Sequence, residues 1–287
     1  MRNILVITIL FLSRSIKAFV PAAVAIVVNL FLPLKEDMPV TVNIPSAITK
    51  FYALPEETMM KAFARGNEYL LLGRFRESLI EFDRAVELSP TSAEIYLARG
   101  ITEEKLNLWE RAISDYLKAN ALIKEKSLFK RDDAVCLSNL ANAETGAGRW
   151  KEAQQHFAAA ISLKANFEAP VIGNALALYQ LGREEESYEI VRGLVSKFPS
   201  FADGRAMEAV MDFKKGKIES ALANFEDTIE LDARYYDIEW VRSIRRWSPR
   251  LVDDLSKLLA DNRVVKIVEE SKEQLRIDQA EIDSDDA

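Results

Sequence analysis

One arrangement of small and aromatic residues recurs along this chain at a fixed interval, and it leaves few folds open. It is first seen between Gly66 and Pro90: small Gly66, turn Gly73, Phe75 opening a second helix, then Ser78, Phe82 and Ala85 before the closing proline. Small residues let two helix axes approach, and the aromatic fills the space between them. The first small position returns as Gly100, Ala141, Ala175 and Ala209. The turn position reads Gly73, Asn107, Gly148, Gly182 and Gly216, and the opening position Phe75, Trp109, Trp150, Glu184 and Ile218. The small contact on the second helix reads Ser78, Ala112, Ala153, Ser187 and Ala221, and the aromatic place Phe82, Tyr116, Phe157, Val191 and Phe225. The last contact reads Ala85, Ala119, Ala160, Leu194 and Thr228. Every step is 34 residues except the second, which is 41; the seven extra residues fall around Lys126 to Asp132, a charged stretch between helix pairs. A fixed period of this length means stacked helix pairs.

The pattern resembles the tetratricopeptide repeat family, closely in the first three units and more loosely in the last two, from about Met59 to Tyr235. The resemblance implies an all-α, right-handed α-α superhelix, a solenoid of about five helix pairs with a C-terminal helical cap. It is far less specific for function, because the family binds many unrelated partners. The spacing puts first helices near 56–72, 92–106, 132–147, 167–181 and 201–215, and second helices near 75–88, 109–122, 150–163, 184–197 and 218–231. Pro55-Glu56-Glu57 suits a first helical turn, and Pro90 and Pro199 punctuate ends. Repeat 5 departs from the family, with Arg205 and Glu208 where apolar residues are usual.

The chain divides by composition into a 1–34 targeting or anchor segment, a 35–54 linker, a 55–235 repeat domain, a 236–262 helical cap and a 263–287 charged helix with an acidic end. Arg2 precedes an apolar run from Ile4 to Leu12, followed by Ser13, Arg14, Ser15 and Lys17, the layout of a secretory signal too short to span a bilayer. Ala18-Phe19-Val20-Pro21 then resembles the plastid presequence of diatoms and related algae, where a phenylalanine follows the signal cleavage site. A second apolar run, Ala18 to Leu34, is broken by Pro21, Asn29 and Pro33. It reads as a thylakoid-transfer signal, as a membrane anchor, or as a leader with no mature role. After Tyr235, Asp237 to Arg242 reads as one more helix, and Ser248-Pro249 as a cap with a helix-starting proline ahead of Leu251, Leu255, Leu258 and Leu259. The segment from Trp240 to Arg246-Trp247-Ser248-Pro249 resembles the C-terminal extension of repeat proteins in cyanobacteria and plastids. Its two tryptophans read as cap core.

Charge and chemistry narrow the function. Residues 1–35 hold four basic residues and no acid, so a net −7 for the chain leaves −11 on the remainder, which repels phosphate backbones and sets nucleic acid aside. The single cysteine, Cys136, excludes an internal disulfide framework and reads as a small buried hydrophobe. The glycines sit one per turn and form no phosphate loop, and no Gly-x-Ser-x-Gly is present. The acids fall at solvent-facing helical positions, and His156 is partly exposed with no candidate partner. No catalytic site, metal or cofactor is expected, so the chain reads as non-enzymatic.

Binding is the expected activity. By repeat position the concave face carries Phe63, Asn67, Leu97, Ile101, Asn139, Asn142, Ile172, Leu176, Tyr179, Met207, Val210 and Phe213. Apolar with an asparagine cluster in the middle, it suits an amphipathic helix or an extended apolar segment of a protein partner, the asparagines bonding backbone groups. The alternative reading is that several of these side chains pack between helices. Chaperone-binding members of the family clamp a terminal carboxylate with lysine, asparagine, asparagine, lysine and arginine; here those places hold Phe63, Asn67, Ala98, Val135 and Asn139, so that clamp is not expected. The reading is a protein-interaction scaffold, an assembly or maintenance factor of the plastid thylakoid membrane or lumen. Its alternative is a membrane-anchored adaptor or receptor of the secretory pathway, associating with the endoplasmic reticulum membrane through residues 18–34.

Overall fold

A computed structural model describes residues 58–125, 130–163 and 168–285, and they are helical with short turns. The presequence, the linker, Pro55 to Glu57 and residues 126–129, the first four of the seven-residue insertion, lie outside the described residues. Ten helices make five antiparallel pairs: α1 (Met59–Leu71) with α2 (Phe75–Leu88), α3 (Ala93–Lys105) with α4 (Trp109–Glu125), α5 (Lys130–Gly146) with α6 (Trp150–Leu163), α7 (Glu168–Gln180) with α8 (Glu184–Lys197), and α9 (Ala202–Lys214) with α10 (Ile218–Leu231). A 3-10 turn, Ala233–Tyr236, and a short helix follow; the latter is α-helical over Ile238–Trp240 and widens to a π turn over Val241–Arg245. Last come α11 (Pro249–Leu259) and α12 (Asn262–Asp285). The chain forms two compact units, α1–α4 in the first and α5–α12 in the second.

Within each pair the sequence pattern acts as expected. Phe82, Tyr116, Phe157 and Phe225 are buried between the helices of their pairs, each contributing up to about 1.5–3 kcal/mol. Gly66 and Gly100 are small because the aromatic lies on their backbone: a Cβ there would stand 2.6 Å from the Phe82 ring and 2.7 Å from the Tyr116 ring. Where the second-helix contact is serine rather than alanine, its hydroxyl is satisfied. Ser78 donates to the carbonyl of Gly66 at 2.8 Å, and Ser187 to that of Ala175 at 2.7 Å.

The turns explain the remaining period. Each first helix ends in a left-handed residue: Gly73, Gly148, Gly182, Gly216 and, uniquely non-glycine among the five, Asn107 at φ 58°. The following N–H then reaches back to the helix, as in Arg74 N to Tyr69 O at 2.8 Å and Leu108 N to Glu103 O at 2.8 Å, which satisfies carbonyls a helix end leaves open. At the N-terminus α1 opens at Met59, with Thr58 as N-cap accepting from Lys61 N at 3.4 Å. This is later than the start expected near 56.

In the second unit, the core runs continuously from the last two pairs into the C-terminal helices. Tyr179, Met207, Val210 and Phe225 share it with Val241, Trp247, Leu251, Val252, Leu255 and Leu258. Trp247 is buried in this core and Trp240 packs at its edge, edge-on to Tyr235 at 5.3 Å. α12 follows α11 and packs against α10. Among the described residues, no helix is long and apolar enough to cross a membrane.

Candidate protein-binding face

The expected binding residues all lie on first helices, and the structure gives them unequal access. In the first unit Phe63 is half-buried on α1, tilted against Phe82 with ring centroids 5.7 Å apart. Asn67 is buried, and its amide donates at 2.9 Å to the carbonyl of Phe63 on its own helix. That bond uses a donor that the sequence reading assigned to a partner's backbone. Leu97 and Ile101 are buried on α3. In the second unit Asn139 is buried on α5 with its Nδ2 unbonded, while Asn142 is half-buried. Ile172 and Leu176 on α7 and Phe213 on α9 are half-buried, whereas Tyr179, Met207 and Val210 are fully covered.

α11 provides much of that cover. It packs across α7 and α9, and its apolar stripe enters the core that holds Tyr179, Met207 and Val210. Polar contacts fix its register. Tyr179 donates to Asp254 Oδ2 at 2.6 Å and Lys214 donates to the same oxygen at 2.9 Å. Gln180 Oε1 accepts from the backbone N–H of Arg250 at 3.0 Å, and the Arg250 guanidinium meets Glu184 at 2.6 Å. Burial pushes the Asp254 carboxyl up, but hydrogen bonds from Lys257, Tyr179 and Lys214 outweigh it and hold the group at about 2. Burial and the bond to Asp254 push the Tyr179 phenol above its ordinary range. Asp254 is therefore an anion over the neutral range, held by two cations, Lys214 and Lys257, and a neutral phenol.

Comparison with known proteins then places this architecture. The Tetratricopeptide repeat family model matches residues 62–92, the first helix pair and its closing turn. The first helix pair carries a tetratricopeptide repeat. A curated relative, the tetratricopeptide repeat and J domain-containing co-chaperone DNJ1 of Fusarium oxysporum f. sp. lycopersici, is 26% identical over 102 residues, which is 36% of this chain. The chain spans only 20% of that relative's length. Among solved structures, YrrB, a TPR protein with an unusual peptide-binding site, superposes with a TM-score of 0.51 at 19% identity over 65% of this chain and 93% of its own. The MamA RS-1 ArsTM double mutant gives a TM-score of 0.55 at 15% identity over 62% and 96%. These likenesses fix the fold, a stack of antiparallel helix pairs.

Several repeat residues have surroundings that the sequence did not reveal. Acids expected at the surface are buried: Glu103, Glu144, Asp203, Asp212 and Asp254 among them. Each has partners brought from another helix. Asp203 accepts from Tyr235 at 2.5 Å and from the Trp247 indole at 3.1 Å, and it pairs with Arg245. Asp212 accepts from Tyr188 at 2.5 Å and Ser220 at 2.6 Å. His156, read as without a partner, lies 2.8 Å from Glu144 Oε2. The departures in repeat 5 are also accounted for. Arg205 pairs with Asp227 at 2.6 Å, and Glu208 is raised by burial and by the Asp212 charge. The partners that other helices bring to these acids lie 8 to 75 residues away in sequence, so local periodicity carries no sign of them.

Proposed function

We propose that this repeat protein is a non-enzymatic scaffold whose first-helix faces receive an amphipathic helix of another protein. The observation that carries this reading is the seating of α11. An amphipathic helix lies on the first helices of repeats 4 and 5, its leucines in their apolar surface and its acid on Tyr179 and Lys214. That is the helix-in-groove mode of recognition, supplied by the chain itself. The peptide-binding YrrB and the co-chaperone relative agree with such a role. A photo-crosslinking amino acid at Phe63 or Leu176 of the whole chain, expressed in cells, tests it. Adducts with partner segments are expected from both positions and not from Glu189, which is exposed on α8. Equal adducts from all three positions would overturn the assignment.

The proposed setting is a plastid, at or inside the thylakoid, with a role in assembling or maintaining a membrane complex. It rests on the order of residues 1–34: apolar core, basic and hydroxyl residues, then Ala18-Phe19-Val20-Pro21. The second reading, a membrane-anchored adaptor of the secretory pathway, keeps residues 18–34 as a tail. Imaging a fluorescent fusion in an algal host with a secondary plastid, with sequencing of the mature N-terminus, separates them. The native leader is expected to deliver the reporter to the plastid, and Phe19→Asp to leave it around the endoplasmic reticulum. If both stay there, the secretory reading takes its place.

A further inference from the structure

α11 has two features of a ligand as well as those of a core helix. Its burial is one-sided: Leu251, Leu255 and Leu258 are fully covered, while Asp253 and Lys257 face solvent. Its N-terminus is not capped by its own sequence. Ser248 makes no side-chain cap bond and its Oγ is buried without a partner. The N–H of Arg250 is satisfied instead by Gln180 of repeat 4. A helix of eleven residues is marginal on its own in water, so its helicity depends on the face it occupies.

The link to repeat 5 is also irregular. Between Ala233 and Ser248 the backbone passes through a 3-10 turn, an α turn and a π turn, then Arg246 at φ 53°. Left-handed backbone at a residue other than glycine, next to a π turn, is found where segments change arrangement. Trp247 and Arg245 are anchored on Asp203, so a pivot falls after Trp247, at Ser248-Pro249.

We propose that α11 is a displaceable occupant, in cis, of the face formed by repeats 4 and 5. The partner that replaces it is an amphipathic helix of the same pattern, with leucine at positions i, i+4 and i+7 and an acid at i+3, as Leu251, Leu255, Leu258 and Asp254 are arranged here. This rests on the scaffold reading and adds its regulation. The tether keeps α11 at a high effective concentration, so the closed state dominates, and a partner binds only by matching or exceeding the fit of α11. Tyr179 and Lys214 select the acid; the apolar surface around Met207 and Val210 selects the leucines.

The test uses the full chain and a fluorescein-labelled peptide of residues 248–260 as the probe, read by anisotropy. Leu255→Asp loosens the helix in cis and is expected to bind the peptide at least tenfold more tightly than wild type. Adding Tyr179→Phe should weaken that binding severalfold, and a peptide carrying Leu255→Asp should not bind. A Leu255→Asp chain with native helix content that binds no better than wild type overturns the proposal. Hydrogen exchange on the wild-type chain needs no variant and decides the matter if Leu255→Asp fails to fold. Amides of α11 should exchange through a smaller opening than those of α9; equal protection of the two helices also overturns the proposal. Neither failure touches the scaffold reading, which stands or falls on the crosslinks from Phe63 and Leu176.

Discussion

Glu103 sits on α3 with one carboxylate oxygen bonded to Arg111 at 2.8 Å and the other buried without a partner. Arg99, which could have neutralised it, is held by Asp115 at 2.6 and 2.8 Å. Burial, with the neighbouring Asp115 charge, raises the Glu103 carboxyl to about 7 against the opposing pull of Arg111 and Arg99. A folded-state value above the unfolded one means that the folded state holds the proton more tightly. The contribution is therefore full below about 4.5 and is lost as pH rises towards 7. Glu103→Gln should remove this slope. Its stability relative to wild type should rise by on the order of 1–3 kcal/mol between pH 5 and pH 8; urea unfolding at the two pH values checks it, and an unchanged difference would refute the assignment. Ala112 gives a second prediction. It is fully buried at the contact between α3 and α4, and Ala112→Leu adds three carbons where there is no room. A loss of about 1–3 kcal/mol is expected, visible as a lowered melting temperature by circular dichroism.

At the scale of elements, the helix pairs were legible because each depends on contacts within about 20 residues. Gly66 with Phe82 and Gly100 with Tyr116 are pairings that a period exposes, and the spans of α2, α6, α8 and α10 match the residues expected for them. The acids were not legible, because Asp203 meets Tyr235 and Trp247 only after the chain has turned back. The seating of α11 was hidden for the same reason. Its amphipathic pattern announced a covered face, but the surface that covers it belongs to Tyr179 and Met207, far upstream. The asparagine cluster was misread in part: Asn67 bonds its own helix, a competition between local and intermolecular acceptors that the residue type alone does not resolve. The turn of repeat 2 is a prediction at this scale. Asn107 carries the left-handed backbone that glycine supplies in the other four repeats. Asn107→Gly should be tolerated within about 1 kcal/mol, whereas Asn107→Val should cost more, since a β-branched residue resists positive φ. Equal melting temperatures for the two variants would argue against that reading.

For the molecule as a whole, the described helices build the repeat cores among themselves. The described helices begin at Met59, and the core of α1 is closed by Ala85 and Ile95. A chain lacking residues 1–50 is therefore expected to unfold cooperatively; a broad, non-cooperative melt would place essential packing in the removed segment. The position of α11 in the chain has a consequence for how the protein is made. The helix that covers α7 and α9 is C-terminal to both, so it is synthesised after them. At about 5–20 residues per second, the apolar surface around Met207 stands open for several seconds on every nascent chain. Every copy of this protein thus passes through an uncovered state once, at birth, in the vicinity of whatever binds exposed leucine-seeking surfaces first.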